Sequence, residues 1–132
     1  MAVSVYKINE NNSYTLTLTL VDENGDKISP SVVASLILTQ YYYNPELGTS
    51  DKFHLATING RYRQNVLNLN NVTLTEDSTN TTVTWYIQPE DTQKLTNKEQ
   101  ELHIALITWK WDTTKKNSSE LLFYVREVPY AI

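Results

Sequence analysis

From Ser13 to Val21, apolar and polar positions alternate without a break. Tyr14, Leu16, Leu18 and Leu20 occupy one parity, and Thr15, Thr17 and Thr19 the other. A period of two is the spacing of a half-buried strand, because successive side chains point to opposite faces. The threonines are β-branched, so they favour the strand while leaving its second face polar. The pattern stops at Asp22-Glu23-Asn24-Gly25-Asp26, where Asn-Gly supplies the positive φ a tight turn needs.

The same reading carries along the chain. Val32–Tyr43 follows Ser29-Pro30-Ser31, and its β-branched and aromatic content predicts a long strand rather than a helix. Asn44–Asp51 reads as a loop. Phe53–Ile58 and Arg61–Val66 flank Asn59-Gly60, the pattern of a two-residue hairpin. From Val66 to Leu74 the apolar residues sit among asparagines and predict an irregular strand or turn. Thr81–Gln88, with Val83, Trp85 and Ile87 on one face, predicts a strand, and Pro89–Leu95 predicts one short helical turn with Pro at its first position. Leu102–Trp111 is apolar on both parities, so it belongs in the centre of a packed sheet or meets a partner on its second face. After a polar tip at Asp112–Ser119, Glu120–Val128 predicts the last strand.

The sum is about seven to eight strands with turn signals about every 8–12 residues, which predicts an all-β sandwich or barrel. A chain of 132 residues makes one domain, whose ends at 1–11 and 129–132 are either part of its sheets or extended docking segments. It contains no cysteine. That excludes a disulfide scaffold, a thiol nucleophile and cysteine-ligated metal centres. The core must therefore come from packing alone, and the expected core is Leu16, Leu18, Leu36, Trp85, Ile104, Leu106, Phe123 and their neighbours.

Charge narrows the partners. With 11 basic and 15 acidic residues the formal net charge is −4, so no nucleic-acid footprint and no attraction to an anionic membrane is expected. No apolar run is long enough for a transmembrane helix, and the opening residues lack the cationic and apolar regions of a secretory signal. The expectation is a chain made in a cytoplasm. Asp22-x-Asn24-x-Asp26 has calcium-like spacing, but Gly25 is fourth rather than sixth and Val33 stands where a bidentate Glu is needed, so it reads as a turn. His54 and His103 are too few for a metal cage; His103, between Leu102 and Ile104, reads as a structural histidine. Glycines only at Gly25, Gly48 and Gly60 exclude a phosphate loop, and Gly-x-Ser-x-Gly is absent. The sequons at Asn11, Asn71, Asn80 and Asn117 fit the abundance of Asn and Thr. No enzymatic activity, metal or cofactor is expected.

Ser13–Leu36, with its Tyr/Thr strand, Asp-x-x-Gly turn and Ser-Pro before a second strand, resembles the opening of small immunoglobulin-like β-sandwich proteins among tailed-phage virion components. Leu102–Val125 is similar to their closing hairpin, whereas Tyr41–Glu76 is not. The resemblance implies an immunoglobulin-like sandwich and a structural role in a virion. That role is an auxiliary capsid protein in many copies or, alternatively, a head-fibre, ring or connector component. The implied partners are other virion proteins or further copies of the chain, with incorporation into the particle after synthesis in the host cytoplasm.

Two features point to where a partner would bind. Tyr41, Tyr42 and Tyr43 place rings on both strand faces, and Trp109 and Trp111 share a face. Core packing, a protein interface and a sugar-stacking platform all remain open for these residues. Tyr6 and Ile8 near the start, and Tyr130 and Ile132 after Pro129, belong either to the first and last strands of the domain or to docking segments that extend a neighbour's sheet.

Overall fold

The computed structural model describes residues 5–43, 58–59, 61–67, 71–95, 99–112 and 114–127. They form eight strands: β1 (Val5–Asn9), β2 (Tyr14–Thr19), β3 (Ser35–Tyr43), β4 (Gln64–Asn65), β5 (Val72–Glu76), β6 (Thr81–Ile87), β7 (Gln100–Lys110) and β8 (Lys116–Arg126). The helical content among these residues is two 3-10 turns, at Pro30–Val32 and Pro89–Thr92. One sheet runs β1-β8-β7-β3-β4 and the other β2-β6-β5. Every pairing is antiparallel except β1 with β8, which is parallel. Two sheets over one core, with long connections carrying the chain between them, make an immunoglobulin-like sandwich. β7 lies between β8 and β3, as its two apolar parities require.

The inner faces are set by register. Leu16 and Leu18 of β2 stand opposite Trp85 and Val83 of β6, which in turn face Val72 and Leu74 of β5. From the larger sheet come Leu36 and Leu38 (β3), Ala105, Ile107 and Trp109 (β7), and Leu121, Phe123 and Val125 (β8). Leu20, Ile28 and Val33 close one end of this core.

Three expectations need correction. Ile104 and Leu106 are not on the core side of β7: the residues facing the second sheet are Glu101, His103, Ala105, Ile107 and Trp109. The even parity is the more hydrophobic one, but Glu101 bonds His103 Nε2 and the Leu95 N–H, and Ile107 and Trp109 supply the volume. Val72–Glu76 is a regular strand, because Val72 and Leu74 alternate with Thr73 and Thr75 once paired to β6. The strand expected over Arg61–Val66 is reduced to two residues, since Arg61 is recruited elsewhere. Of the two readings of the opening segment, the structure shows the first strand of the domain, with Tyr6 opposite Phe123 and Ile8 opposite Val125. The loop at 44–51, residues 53–57 of the expected hairpin, and 129–132 lie outside the described residues.

Turns follow their local chemistry. Asp22 Oδ1 accepts from the backbone N–H groups of Asn24 (2.8 Å) and Asp26 (2.9 Å), and Gly25 sits at φ +82°. This is a turn, as the spacing suggested. Between β5 and β6, Asp77 Oδ1 accepts from Thr79 N (2.8 Å), Thr79 Oγ1 (3.0 Å) and Asn80 N (2.7 Å). The backbone donors of Thr79 and Asn80, then the Thr79 hydroxyl, hold the Asp77 carboxyl below its ordinary value of 3.8, with a smaller contribution from Lys27. Partial desolvation works against them.

Leu36, fully buried at the centre of the core, tests the packing. Leu36→Ala should cost about 2–5 kcal/mol in urea unfolding, whereas Thr17→Ala on the wet face should cost less than about 1 kcal/mol. Asp77 tests the turn. Its folded pKa is depressed, so its stabilisation is complete above the unfolded pKa and is lost as pH falls through the folded one. Asp77→Asn should therefore flatten the loss of urea midpoint on acidification below about pH 4.

Candidate functional site

The two outer faces differ sharply in chemistry. On the three-stranded sheet, the outward positions are Thr15, Thr17 and Thr19 of β2, Thr82, Thr84 and Tyr86 of β6, and Thr73 and Thr75 of β5. Seven of these eight are threonine, a surface of hydroxyls broken by one exposed ring, that of Tyr86. On the five-stranded sheet, the outward register brings together Ile37, Thr39 and Tyr41 of β3 with Leu102, Ile104, Leu106 and Thr108 of β7. Leu122 and Tyr124 of β8 continue the same face. Leu102, Leu106, Ile37, Leu122 and Tyr124 are all partly exposed. Tyr41 and Ile104 are 3% and 6% exposed, so that end of the face is covered within the chain.

At the opposite end the face opens into a groove of about 710 Å³. Ile37, Thr39, Leu106 and Thr108 line its sheet side, and Tyr62, Arg63, Lys110, Lys115 and Lys116 surround it. The Thr108 and Ser118 hydroxyls bond across β7 and β8 at 2.8 Å.

The interior holds two buried carboxylates. Asp91, in the Pro89–Thr92 turn, is fully buried. Its Oδ1 accepts from Arg61 Nε (2.7 Å) and Asn59 Nδ2 (2.8 Å), and its Oδ2 from Arg61 Nη2 (3.2 Å) and Gln88 N (2.9 Å). Gln40 Nε2 donates to the Asp91 carbonyl at 2.7 Å. Glu101 Oε1 and Oε2 both accept from Leu95 N at 2.9 Å, and Glu101 Oε1 meets His103 Nε2 at 2.9 Å. His103 packs edge-on to Phe123 and Tyr42. Each carboxylate is engaged by donors that fix the fold. Among the described residues no group of three or more His, Asp or Glu is placed to hold a metal.

The residues singled out in the sequence are distributed unevenly. Trp109 is 2% exposed and its indole N–H donates to the Val21 carbonyl at 2.9 Å, so it belongs to the core. Trp111 follows β7 and packs partly buried against the same core. Tyr42 faces inward beside Ile58, and Tyr41 lies under the covered end of the outer face. Trp109, Tyr41 and Tyr42 therefore do not form an exposed stacking platform: strand alternation and close packing withdraw all three from solvent. Ile8 is buried, and Tyr6 is partly buried with its ring 6.2 Å from that of Tyr14. Tyr43 ends β3, but its side chain, like Tyr130 and Ile132, lies outside the described residues. The basic rim of the groove was missed. Its sequence trace is the clustering of Lys110, Lys115 and Lys116 around the β7–β8 turn, hidden by the negative total.

The molecule defined by these sheets is an immunoglobulin-like β-sandwich with one polar and one apolar-basic outer face. No family model matches the chain, and no curated protein does. It is similar to a solved structure from photo-crosslinking work on multimeric cell-adhesive interactions of VGSC beta subunits. The two are 13% identical over 96% of this chain and 92% of that one, with a TM-score of 0.38. The sandwich assignment stands on strand order and register.

The Asp91 network can be tested directly. Asp91→Ala leaves Arg61 buried without its partner and should cost about 3–5 kcal/mol in urea unfolding. Replacing Glu90, exposed in the same turn, should cost less than about 1 kcal/mol.

Proposed function

We propose that this chain is a non-enzymatic protein-binding module that docks through the outer face of its five-stranded sheet. The observation that carries this reading is the contrast between the two outer faces. Both belong to one small sandwich and both would meet water in an isolated domain. One is built from threonine around a single exposed Tyr86, while the other carries five half-buried apolar side chains: Ile37 and Leu106 at its open end, and Leu102, Leu122 and Tyr124 beside the covered Tyr41 and Ile104. Apolar side chains gathered on one sheet face and left partly open to solvent favour that face as the interaction site.

The setting we propose is the virion of a tailed phage, with the chain as an auxiliary capsid component in many copies. The resemblance of Ser13–Leu36 and Leu102–Val125 to virion sandwich proteins supports it. A single compact domain suits repeated attachment to a lattice of neighbours, and the self-contained bonding of Asp91 and Glu101 suits a structural role.

Mass spectrometry of purified virions should find the chain in many copies per particle; its presence only as free protein in the infected cell would overturn the setting. A photoreactive phenylalanine at Glu120, exposed on the outer face, should crosslink to a neighbouring protein in the particle. The same group at Thr17 should not. Crosslinking from Thr17 alone would assign docking to the other sheet.

A further inference from the structure

The basic groove at the open end of the outer face deepens this reading. Among the described residues four cations surround it, Arg63, Lys110, Lys115 and Lys116, and no Asp or Glu lines it, in a chain of net charge −4. Their placement runs against the preferences of the isolated domain. Lys110 and Lys116 are register partners across β7 and β8, the position where like charges repel most. Arg63 is held at φ +49°, a left-handed conformation that a non-glycine residue adopts at a cost. Its N–H donates to Thr39 Oγ1 at 3.0 Å, and its guanidinium lies 5.3 Å from the centre of the Tyr62 ring. Among the described residues Arg63, Lys110 and Lys116 make no ion pair. Lys115 reaches Glu23 only at 3.7 Å, with both side chains about half exposed. Glu120 is the register partner of Leu106 and flanks the groove without lining it.

The floor is different in kind. Ile37 and Leu106 give it an apolar base, with the hydroxyls of Thr39 and Thr108 beside them. An occupant that matches both layers carries carboxylates along its length and at least one apolar side chain directed at the sheet. We propose that this groove binds an acidic peptide segment of a partner protein, its carboxylates on the four cations and an apolar side chain between Ile37 and Leu106. This rests on the outer face being the docking face. A nucleic acid is the poorer match. Its backbone has nothing to set against the apolar floor, and a strand longer than the groove runs onto a surface whose net charge repels it.

The test uses fluorescence anisotropy with a labelled synthetic peptide of about 12 residues alternating glutamate and leucine. Saturable binding is expected, weakening about tenfold between about 50 and 300 mM salt. Lys110→Glu combined with Lys116→Glu should weaken it at least about tenfold. Lys110→Gln with Lys116→Gln should weaken it less, and the urea midpoints of both variants report that the sandwich is intact. Leu106→Ser should weaken binding while leaving its salt dependence in place. No binding by the glutamate–leucine peptide overturns the proposal. So does equal binding by a lysine–leucine peptide, or tighter binding by single-stranded DNA of about the same length. If crosslinking from Glu120 to a neighbouring protein persists while the peptide does not bind, the groove proposal fails and the docking face stands; if both fail, the docking face falls as well.

Discussion

The buried carboxylate of Asp91 is the point at which separate parts of this chain are tied. Its two oxygens take four donors from three places: Arg61, Asn59 and the backbone of Gln88. The turn that carries it also receives Gln40 from β3 through a backbone carbonyl, and Thr92 bonds the Asn12 carbonyl between β1 and β2. A buried ion pair is a poor source of net stability, because desolvating both charges offsets much of their attraction. Its value here is geometric. Ile58, Asn59 and Arg61 to Arg63 belong to no strand, and Arg61 fixes where this part of the chain meets the sheet edge. Arg61 also holds Gln64 through its Nη1 at 2.7 Å, which sets the short strand β4 beside β3.

That placement bears on the outer face. β4 ends the five-stranded sheet, and Tyr62 and Arg63, between Arg61 and Gln64, stand at the rim of the groove. One polar network inside the sandwich therefore positions part of a surface outside it. At the other side of the groove, Trp109 plays a comparable part. Its bond to Val21 anchors the end of β7 against the β2–β3 turn, next to Lys110 and the turn carrying Lys115.

The strands were legible wherever one parity was apolar and the other polar. Tyr14–Thr19 and Thr81–Ile87 declare both their conformation and their buried side. β7 was legible as a central strand but not in its facing, because both parities are apolar and the deciding residues, Glu101 and His103, look like outward ones until their mutual bond is seen. β5 was obscured by the asparagines before it. The groove was not legible, since it joins Arg63 to lysines far along the chain that only the sheet register brings together. Nor could composition separate Trp109 in the core from an exposed indole: the alternation places it on a face, and only packing says which face is covered.

The parallel ladder between β1 and β8 has a mechanical meaning. Val5–Asn9 runs alongside Leu122–Arg126 in the same direction, so the leading end of the first strand and the trailing end of the last point opposite ways. Tension drawn along the strands from those two ends loads all the rungs of that ladder at once, in shear, instead of peeling them apart singly. Forced opening is governed by the unfolding barrier rather than by equilibrium stability. A module tethered through its two ends would thus meet pulling force with its most resistant geometry.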